Sequence, residues 1–226
     1  MAGNTIGSEF RVVTWGESHG AAVGATVDGC PPNIPLTETD IQKEMDRRRP
    51  GRFSSASARN EKDRVEILSG VFAGKTTGTP IALLIRNADA DSAAYEELRD
   101  VFRPGHGDYT YFKKYGIRDH RGGGRSSGRE TAARVAAGAV ARKVIAREGM
   151  RVLAFTRELG GIPAKVISLA DIEKNPLFCP DPEAAAKMGE ELERVKEMGD
   201  SVGGILEIRV QGCPPGLGEP VFDKMD

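Results

Sequence analysis

The stretch from Asp119 to Arg134 constrains the fold most, because a run of glycines leads there directly into an alanine-rich segment. The three glycines, Gly122 to Gly124, lie between Arg121 and Arg125, and two serines follow before Arg129. Glycine backbone can approach a ligand closely, and a loop that opens into a helix presents free N–H groups and a positive dipole end. Since arginine forks and hydroxyls suit carboxylate and phosphate, the stretch predicts a site for a small polyanion. The alternative interpretation is a flexible glycine loop with solvated arginines.

Composition limits the class of protein. The chain has 226 residues, which is enough for one large domain or two small ones. Its net charge of −1 argues against a general nucleic-acid binder, because such proteins usually carry a net positive charge. Its apolar runs are far shorter than the ~20 residues of a membrane span, and its N-terminus lacks the pattern of a secretory signal. Three widely spaced cysteines indicate reduced thiols in the cytoplasm, with neither a disulfide framework nor a metal site.

The arginines are concentrated in two places. One cluster begins with the run Arg47 to Arg49, which ends a predicted helix, and the other surrounds the glycines. A near-neutral protein with two such clusters suggests a focused site for a small anion. For the run Arg47 to Arg49, a solvated helix end whose cations match the helix dipole is the alternative.

Two histidines lie where glycines leave the backbone accessible. His19 lies in a short polar connection, residues 16–20, between the predicted strands Phe10–Trp15 and Ala21–Asp28. His106 lies between Gly105 and Gly107. An accessible imidazole can titrate near neutral pH and act as an acid or base. A polar turn residue is the alternative for His19.

Hydrophobic periodicity and capping signals predict several further elements. They are a helix from Thr37 that Pro50 ends, a strand pair over Val65–Phe72 and Pro80–Ile85, a polar loop over Asn87–Ala94, a long helix from Arg129 to Glu148, a strand over Arg151–Thr156, a helix from Asp181 to Met198, and a strand over Gly204–Val210. The aromatic group Tyr109, Tyr111, Phe112 and Tyr115 could stack a planar ring, although core packing is the commoner fate of such residues.

A repeated motif indicates an internal duplication. Cys30-Pro31-Pro32 and Cys213-Pro214-Pro215 each follow a predicted strand and a glycine. The second half of such a duplication would lie beyond Asp226.

Four motifs in this order resemble the chorismate synthase family. They are Gly16 to Gly20, Arg47 to Gly51, Arg103 to His106, and Arg121 to Arg129, and the similarity extends along the whole chain. The resemblance implies one chorismate synthase-like domain over residues 1–226. Its fold would be α/β (α+β), a sandwich with helices between antiparallel sheets, with the duplication completed beyond residue 226.

The resemblance also implies a chemistry. The enzyme would be a carbon–oxygen lyase of the shikimate pathway that removes phosphate and a ring proton from 5-enolpyruvylshikimate 3-phosphate by 1,4-anti elimination, giving chorismate. It would depend on reduced FMN, would be a homotetramer, and could use NADPH or a separate flavin reductase to keep the flavin reduced. This substrate carries two carboxylates and a phosphate, and the two arginine clusters could bind these negatively charged groups.

By resemblance, His19 protonates the departing phosphate and His106 lies near the pyrimidine edge of the flavin. The positions that match cofactor contacts are Arg125, Ser126, Ser127, Arg48 and Arg52, with Arg59 as an alternative to Arg52. The positions that match substrate contacts are Arg48, Arg103, Ser127 and Arg129.

The chain departs from the family pattern in three respects. Gly128 stands where alanine is usual, and His120 where tyrosine is common. Family chains run well past Asp226, and their further part carries a catalytic aspartate and much of the FMN pocket. The alternative function is therefore a truncated, non-catalytic module that binds an anion or flavin.

Overall fold

A computed structural model describes residues 3–48, 63–88, 93–219 and 223–224. Among these residues, a first compact unit ends at Val144 and a second begins at Ile145. The single domain over residues 1–226 stays a prediction. In the described ranges, no helix is long and apolar enough to cross a membrane.

The first unit is built on an antiparallel sheet. Its strands are β1 (Thr5–Ile6), β2 (Arg11–Trp15), β3 (Ala22–Asp28), β4 (Val65–Ile67), β5 (Val71–Phe72), β6 (Lys75–Thr76) and β7 (Ile81–Arg86). Five of them form one sheet in the order β1-β2-β3-β7-β4, and β5 pairs with β6 as a separate small hairpin. Alternate residues of β3 and β7, such as Val27 and Leu83, are fully buried, as strand periodicity requires of a sheet covered on one face.

In the described ranges, this unit contains the α-helices α1 (Glu38–Arg48) and α2 (Asp108–Tyr115) and nearly all of α3 (Thr131–Ala146). The predicted capping interaction starts α1, because the Asp40 carboxylate accepts the Thr37 N–H at 2.9 Å. Ile41 and Met45 of α1 are buried in the same core as the alanines of α3. Because those alanines are small, the α3 backbone can lie close to its neighbours, as the sequence pattern predicted.

The structure corrects several predicted elements. Helix α2 was not predicted; it ends at Gly116, whose positive φ of 75° closes it in the left-handed conformation. Its aromatic residues are not in the core, since Tyr109, Phe112 and Tyr115 are exposed. A 3₁₀ helix over Ala93–Leu98 begins within the predicted polar loop. The predicted strand from Val65 to Phe72 is divided between β4 and β5.

The described residues of the second unit include the helix α4 (Pro182–Glu197), a 3₁₀ helix over Ile172–Lys174, and the strands β8 (Arg151–Leu159), β9 (Ile162–Pro163), β10 (Gly204–Gln211), β11 (Gly218–Glu219) and β12 (Asp223–Lys224). Strands β10, β8 and β9 form a three-stranded antiparallel sheet, and β11 pairs with β12. As predicted, Asp181 caps α4, accepting the N–H groups of Glu183 and Ala184. Met188 of α4 and Cys179 form the centre of a separate small core.

The two units contain a similar pair of antiparallel strands, and this repeat supports the predicted duplication. Strand β2 pairs with β3 starting from Arg11 opposite Asp28, and β8 pairs with β10 in the same way, with Arg151 opposite Gln211. The next residues, Gly29 and Gly212, both have positive φ.

Each of these glycines lies close to the backbone that leads into the partner strand. A Cβ at Gly29 would overlap the carbonyl oxygen of Glu9, and a Cβ at Gly212 would overlap the carbonyl oxygen of Gly149. A side chain at either position would therefore collide with this backbone, which explains the repeated glycine.

The two copies differ in how much of the strand is covered. Ala25 and Val27 on β3 are fully buried, whereas Ile208 and Val210, at the matching register of β10, are exposed. The first copy therefore includes the helical layer over its sheet, and the β10 face within the described part of the second unit does not.

We predict that Leu83→Ala destabilises the protein by about 3 kcal/mol, because Leu83 is fully buried and its truncation leaves a cavity. Leu68→Ala is the matched control: Leu68 is 58% exposed, and its truncation should cost less than about 0.5 kcal/mol. Urea unfolding of both variants measures the difference. Equal losses would contradict the placement of the core.

Candidate functional site

The glycine–arginine loop, residues 119–130, folds into two short turns before α3. Gly124–Ser126 and Gly128–Glu130 are 3₁₀ helices, and Ser127 caps the second by accepting the Arg129 N–H at 3.3 Å. Gly122 and Gly124 have φ values of 65° and 53°. Glycine allows this left-handed backbone without steric cost, so the loop can turn sharply beneath neighbouring segments.

The histidine loop, residues 16–20, is held directly against the glycine–arginine loop. The Arg125 guanidinium donates through Nη1 to the Gly16 carbonyl at 2.9 Å, and the Ser18 N–H donates to the Gly124 carbonyl at 3.4 Å. On the other side, the Asn87 amide donates to the carbonyls of Glu17 and Gly20. The backbone of the histidine loop is therefore held on both sides.

Gly122 forms the wall behind the His19 ring. A Cβ at Gly122 would lie 2.7 Å from Nε2 of His19 and 3.0 Å from Oγ of Ser18. The ring is half-buried and packs edge-to-face on Tyr95, with centroids 4.8 Å apart. His19 thus has a defined orientation and is more than a polar turn residue.

A second loop, residues 103–108, carries His106. The His106 side chain is exposed, and its Nδ1 lies 3.1 Å from the Pro104 carbonyl. This loop also meets the glycine–arginine loop, because a Cβ at Gly107 would lie 2.8 Å from Oγ of Ser126. The structure therefore brings both predicted histidine loops to the same glycine–arginine loop.

Two of the predicted ligand-binding arginines share one buried carboxylate. Arg48 donates through Nη1 to Asp63 at 2.7 Å, and Arg129 donates through Nη1 to the other oxygen of Asp63. Arg129 and Asp63 are 5% and 2% exposed. Arg129 also donates through Nε to the Asn87 side chain at 3.0 Å.

No pattern in the sequence pointed to Asp63 or Asn87. Each lies in a polar segment with no motif of its own, and each contacts residues far away in the sequence. Asp63 is also one of the described non-glycine residues with positive φ, at 46°, and it lies two residues before β4.

Arg125 is held by the edge of the sheet. It donates through Nη2 to Oγ1 of Thr14 at 2.7 Å and to the side chain of Asn4 at 3.1 Å, and it forms an ion pair with Glu130 at 3.5 Å. Glu130 is also buried, and it accepts the Thr14 hydroxyl at 2.7 Å. The arginine that was predicted to hold a cofactor therefore holds the loop to β2 in this structure.

Ser126 is exposed and Ser127 is half-buried, so both hydroxyls lie near the surface of the glycine–arginine loop. Arg52, the other predicted cofactor contact, and Arg59 lie outside the described residues.

A cleft of about 430 Å³ opens beside the glycine–arginine loop. Tyr111 and Tyr115 contribute an aromatic side, and Arg121 and Ser126 contribute a polar side. Arg121 donates through Nε and Nη2 to the two carboxylate oxygens of Asp119, and these hydrogen bonds hold the pKa of the Asp119 carboxyl below its usual range. The cleft can accept a planar group that carries an anionic substituent.

The Asp108 carboxylate is held by several hydrogen bonds from Arg103. It accepts the Nε and Nη2 groups of Arg103 at 2.9 and 3.0 Å and the Arg103 backbone N–H at 3.1 Å. These hydrogen bonds, chiefly the side-chain bonds from Arg103, lower the pKa of Asp108 to about 2.

We predict that Gly122→Ala displaces His19 and destabilises the protein by about 2 kcal/mol or more, since the new methyl group meets the imidazole and φ is positive. Gly128→Ala is the matched control, because a Cβ at Gly128 meets nothing within 4 Å. The His19 Hδ2 chemical shift and the unfolding free energy report the two effects. Similar behaviour of the two variants would contradict the Gly122–His19 contact.

Asp108 should also contribute to stability in a pH-dependent way. Because its folded pKa is below the unfolded value, its contribution is present above about pH 4 and is lost as pH falls towards 2. We expect the stability difference between wild type and Asp108→Asn to shrink by roughly 2 kcal/mol over this window. Urea unfolding at several pH values measures it, and a constant difference would contradict the ion pair.

Comparison with known proteins agrees with these motifs. The family model described as chorismate synthase matches residues 10–226. The chorismate synthase of Syntrophus aciditrophicus is 64% identical over 229 aligned residues, covering 100% of this chain and 65% of that protein. The chorismate synthase of Desulfatibacillum aliphaticivorans is 59% identical, with 100% and 63% coverage.

A solved structure, a crystal structure of chorismate synthase, superposes with a TM-score of 0.73 at 35% identity, covering 94% of this chain and 61% of that one. The α/β architecture with antiparallel sheets is therefore confirmed. The chain spans just under two thirds of the length of these curated relatives. With a family match over almost its whole length, the chain belongs to the chorismate synthase family.

Proposed function

We propose that this chain serves the chorismate synthase reaction, the 1,4-anti elimination of phosphate from 5-enolpyruvylshikimate 3-phosphate to give chorismate. The observation that carries the proposal is the meeting of the His19 and His106 loops at one glycine–arginine loop. A binder of anions needs arginines and backbone N–H groups but has no need for two oriented imidazoles.

His19 is the acid for the departing phosphate in this proposal. As an imidazolium it donates a proton to a phosphate oxygen, which lowers the charge on the leaving group. The Gly122 wall and Tyr95 hold the ring in one orientation, so the proton is already directed when the substrate arrives. The cations around the loop attract the phosphate and the two carboxylates.

Arg48 and Arg129 act as a linked pair in this proposal. Asp63 cancels part of their charge and fixes both guanidinium planes from the side that faces the protein. Arg48, the more exposed of the two, then offers a preorganised cation to the substrate, and Arg129 holds Asp63 from the buried side. Arg103 and Ser127 are the other proposed substrate contacts.

The cleft beside the loop fits reduced FMN. Tyr111 and Tyr115 can contact a planar ring, Ser126 is exposed to donate a hydrogen bond, and Arg121 can pair with a phosphate. When bound, the reduced flavin supplies electron density that assists loss of the phosphate. Arg125 holds the loop that shapes this cleft, and His106 lies on the loop that meets Ser126.

Further parts of the proposal rest on the family resemblance. They are a homotetramer, NADPH as a possible reductant with contacts at Arg48 and Arg52, a separate flavin reductase as the alternative source of electrons, and a cytoplasmic location.

The proposed roles of the histidines predict a selective loss of activity. With reduced FMN and 5-enolpyruvylshikimate 3-phosphate under anaerobic conditions, His19→Ala and His106→Ala should each lower the rate of chorismate formation by roughly 10²–10⁴-fold. His120→Ala is the matched control, since His120 has no proposed role, and its rate should stay near wild type. Chorismate is followed by its absorbance.

Binding separates the possible outcomes. Calorimetric titration with the substrate should show weaker binding in Arg48→Ala and Arg129→Ala. Substrate binding without turnover would restrict this chain to the non-catalytic module. Unchanged turnover in both histidine variants would contradict the proposed chemistry.

A further inference from the structure

Asp108 occupies a buried position between two arginines. It is 7% exposed, and its two carboxylate oxygens accept hydrogen bonds from Nε and Nη2 of Arg103, an arrangement called the fork below. The carboxylate also lies 3.6 Å from Nη1 of Arg118. Arg118 is in turn held by the carbonyls of Leu98, Arg99 and Val101. The carboxylate is therefore fixed, since its partners are themselves attached to the surrounding backbone.

One set of contacts leads from Asp108 to His19. The fork uses Nε and Nη2 of Arg103, and Nη2 also donates to the Gly122 carbonyl at 2.7 Å. Gly122 is the residue whose Cα faces the His19 ring. The position of this glycine, and with it the wall of the His19 pocket, thus depends on how Asp108 holds Arg103.

A second set of contacts leads from Asp108 to His106. The carboxylate accepts the Arg103 backbone N–H at 3.1 Å, and this bond closes the segment from residue 103 to residue 108 into a loop. Gly105 has a φ of 72°, so the loop turns sharply immediately before His106. With the loop closed, the Pro104 carbonyl lies within reach of Nδ1 of His106.

We propose that Asp108 is a positioning residue for the elimination, which sets the His19 wall through Arg103 and Gly122 and closes the loop that presents His106. This inference rests on the proposed function, since it assigns Asp108 to the two histidines of that reaction. Asp108 acts through Arg103 and the backbone and contacts neither imidazole in the described contacts.

The paired hydrogen bonds from Arg103 require a charged carboxylate at Asp108. A carboxylate accepts two parallel N–H bonds from an arginine, whereas an asparagine of the same size offers one acceptor and no charge. Asp108→Asn therefore keeps the volume of the side chain but loosens the fork, which leaves Arg103 free to turn away from the Gly122 carbonyl.

The first test measures the histidines directly, without any ligand. The chain has three histidines, so the ¹H–¹³C spectrum of the imidazole Hε1 groups has three cross-peaks that can be assigned with single variants. In folded Asp108→Asn at neutral pH, the His19 and His106 peaks should both move from their wild-type positions. Peaks that remain at the wild-type positions would overturn the proposal.

Asp181→Asn is the matched control. Asp181 is also 7% exposed and accepts several backbone N–H groups, but it caps a helix in the second unit. This variant should lower the melting temperature and leave the His19 and His106 peaks in place. If Asp181→Asn moves both peaks as far as Asp108→Asn does, the effect is general destabilisation and the positioning role is overturned.

A second variant keeps the proposal testable if Asp108→Asn does not fold. Arg103→Lys retains the positive charge beside Asp108 but cannot form the fork and reach Gly122 at once. It should move the His19 peak, and an unmoved His19 peak would overturn the link through Arg103.

The third measurement separates this inference from the proposed function. Turnover of 5-enolpyruvylshikimate 3-phosphate with reduced FMN should fall roughly 100-fold in Asp108→Asn, as expected for small displacements of catalytic groups. The fall should appear in kcat more than in KM. If wild type neither binds nor converts this substrate, the proposed function fails, and the imidazole peaks still decide whether Asp108 positions the histidines.

Discussion

The first unit depends on the burial of arginine side chains beside carboxylates. A buried guanidinium is tolerated only when its charge and N–H groups have partners, and loss of one partner is strongly destabilising. Arg129 with Asp63, Arg125 with Glu130, and Arg103 with Asp108 meet this condition. Further hydrogen bonds of arginines attach the glycine–arginine loop to its neighbours: Arg125 donates to Thr14 of β2, Arg103 donates to the Gly122 carbonyl, and Arg48 of α1 donates to the Gly128 carbonyl. The glycine–arginine loop therefore contacts β2, α1 and the loop of His106.

This arrangement changes what the arginines can do for a ligand. Free arginines would bind an anion as flexible charges and would lose side-chain entropy on doing so. Asp63 already orders Arg48 and Arg129, so in the proposed function the substrate would meet an arginine of fixed orientation and reduced net charge. Such an arrangement attracts an anion less strongly than free arginines would, but it fixes the directions of the N–H donors. A fixed direction suits a reaction in which a leaving group and a proton must be aligned.

Local signals allowed much of the fold and site to be predicted. Strand β3 and the capped start of α4 depend on residues that are close in sequence. The grouping of His19 and His106 with the glycine–arginine stretch was implied by the family resemblance, because His19 is far from that stretch in sequence. Helix α2 was missed because its aromatic residues suggested core packing or ring stacking, whereas Tyr109, Phe112 and Tyr115 are exposed and Tyr111 is half-buried. Asp63 was missed because its partners lie 15 and 66 residues away, and no local pattern reports a contact at that distance.

A nuclear Overhauser effect between His19 Hδ2 and the Gly122 Hα protons shows whether the glycine–arginine loop forms the wall of the His19 pocket. Because a side chain at Gly122 would collide with this ring, we expect a strong cross-peak in the free protein. Absence of the cross-peak in a folded sample with both resonances assigned would show that the histidine and glycine–arginine loops do not meet.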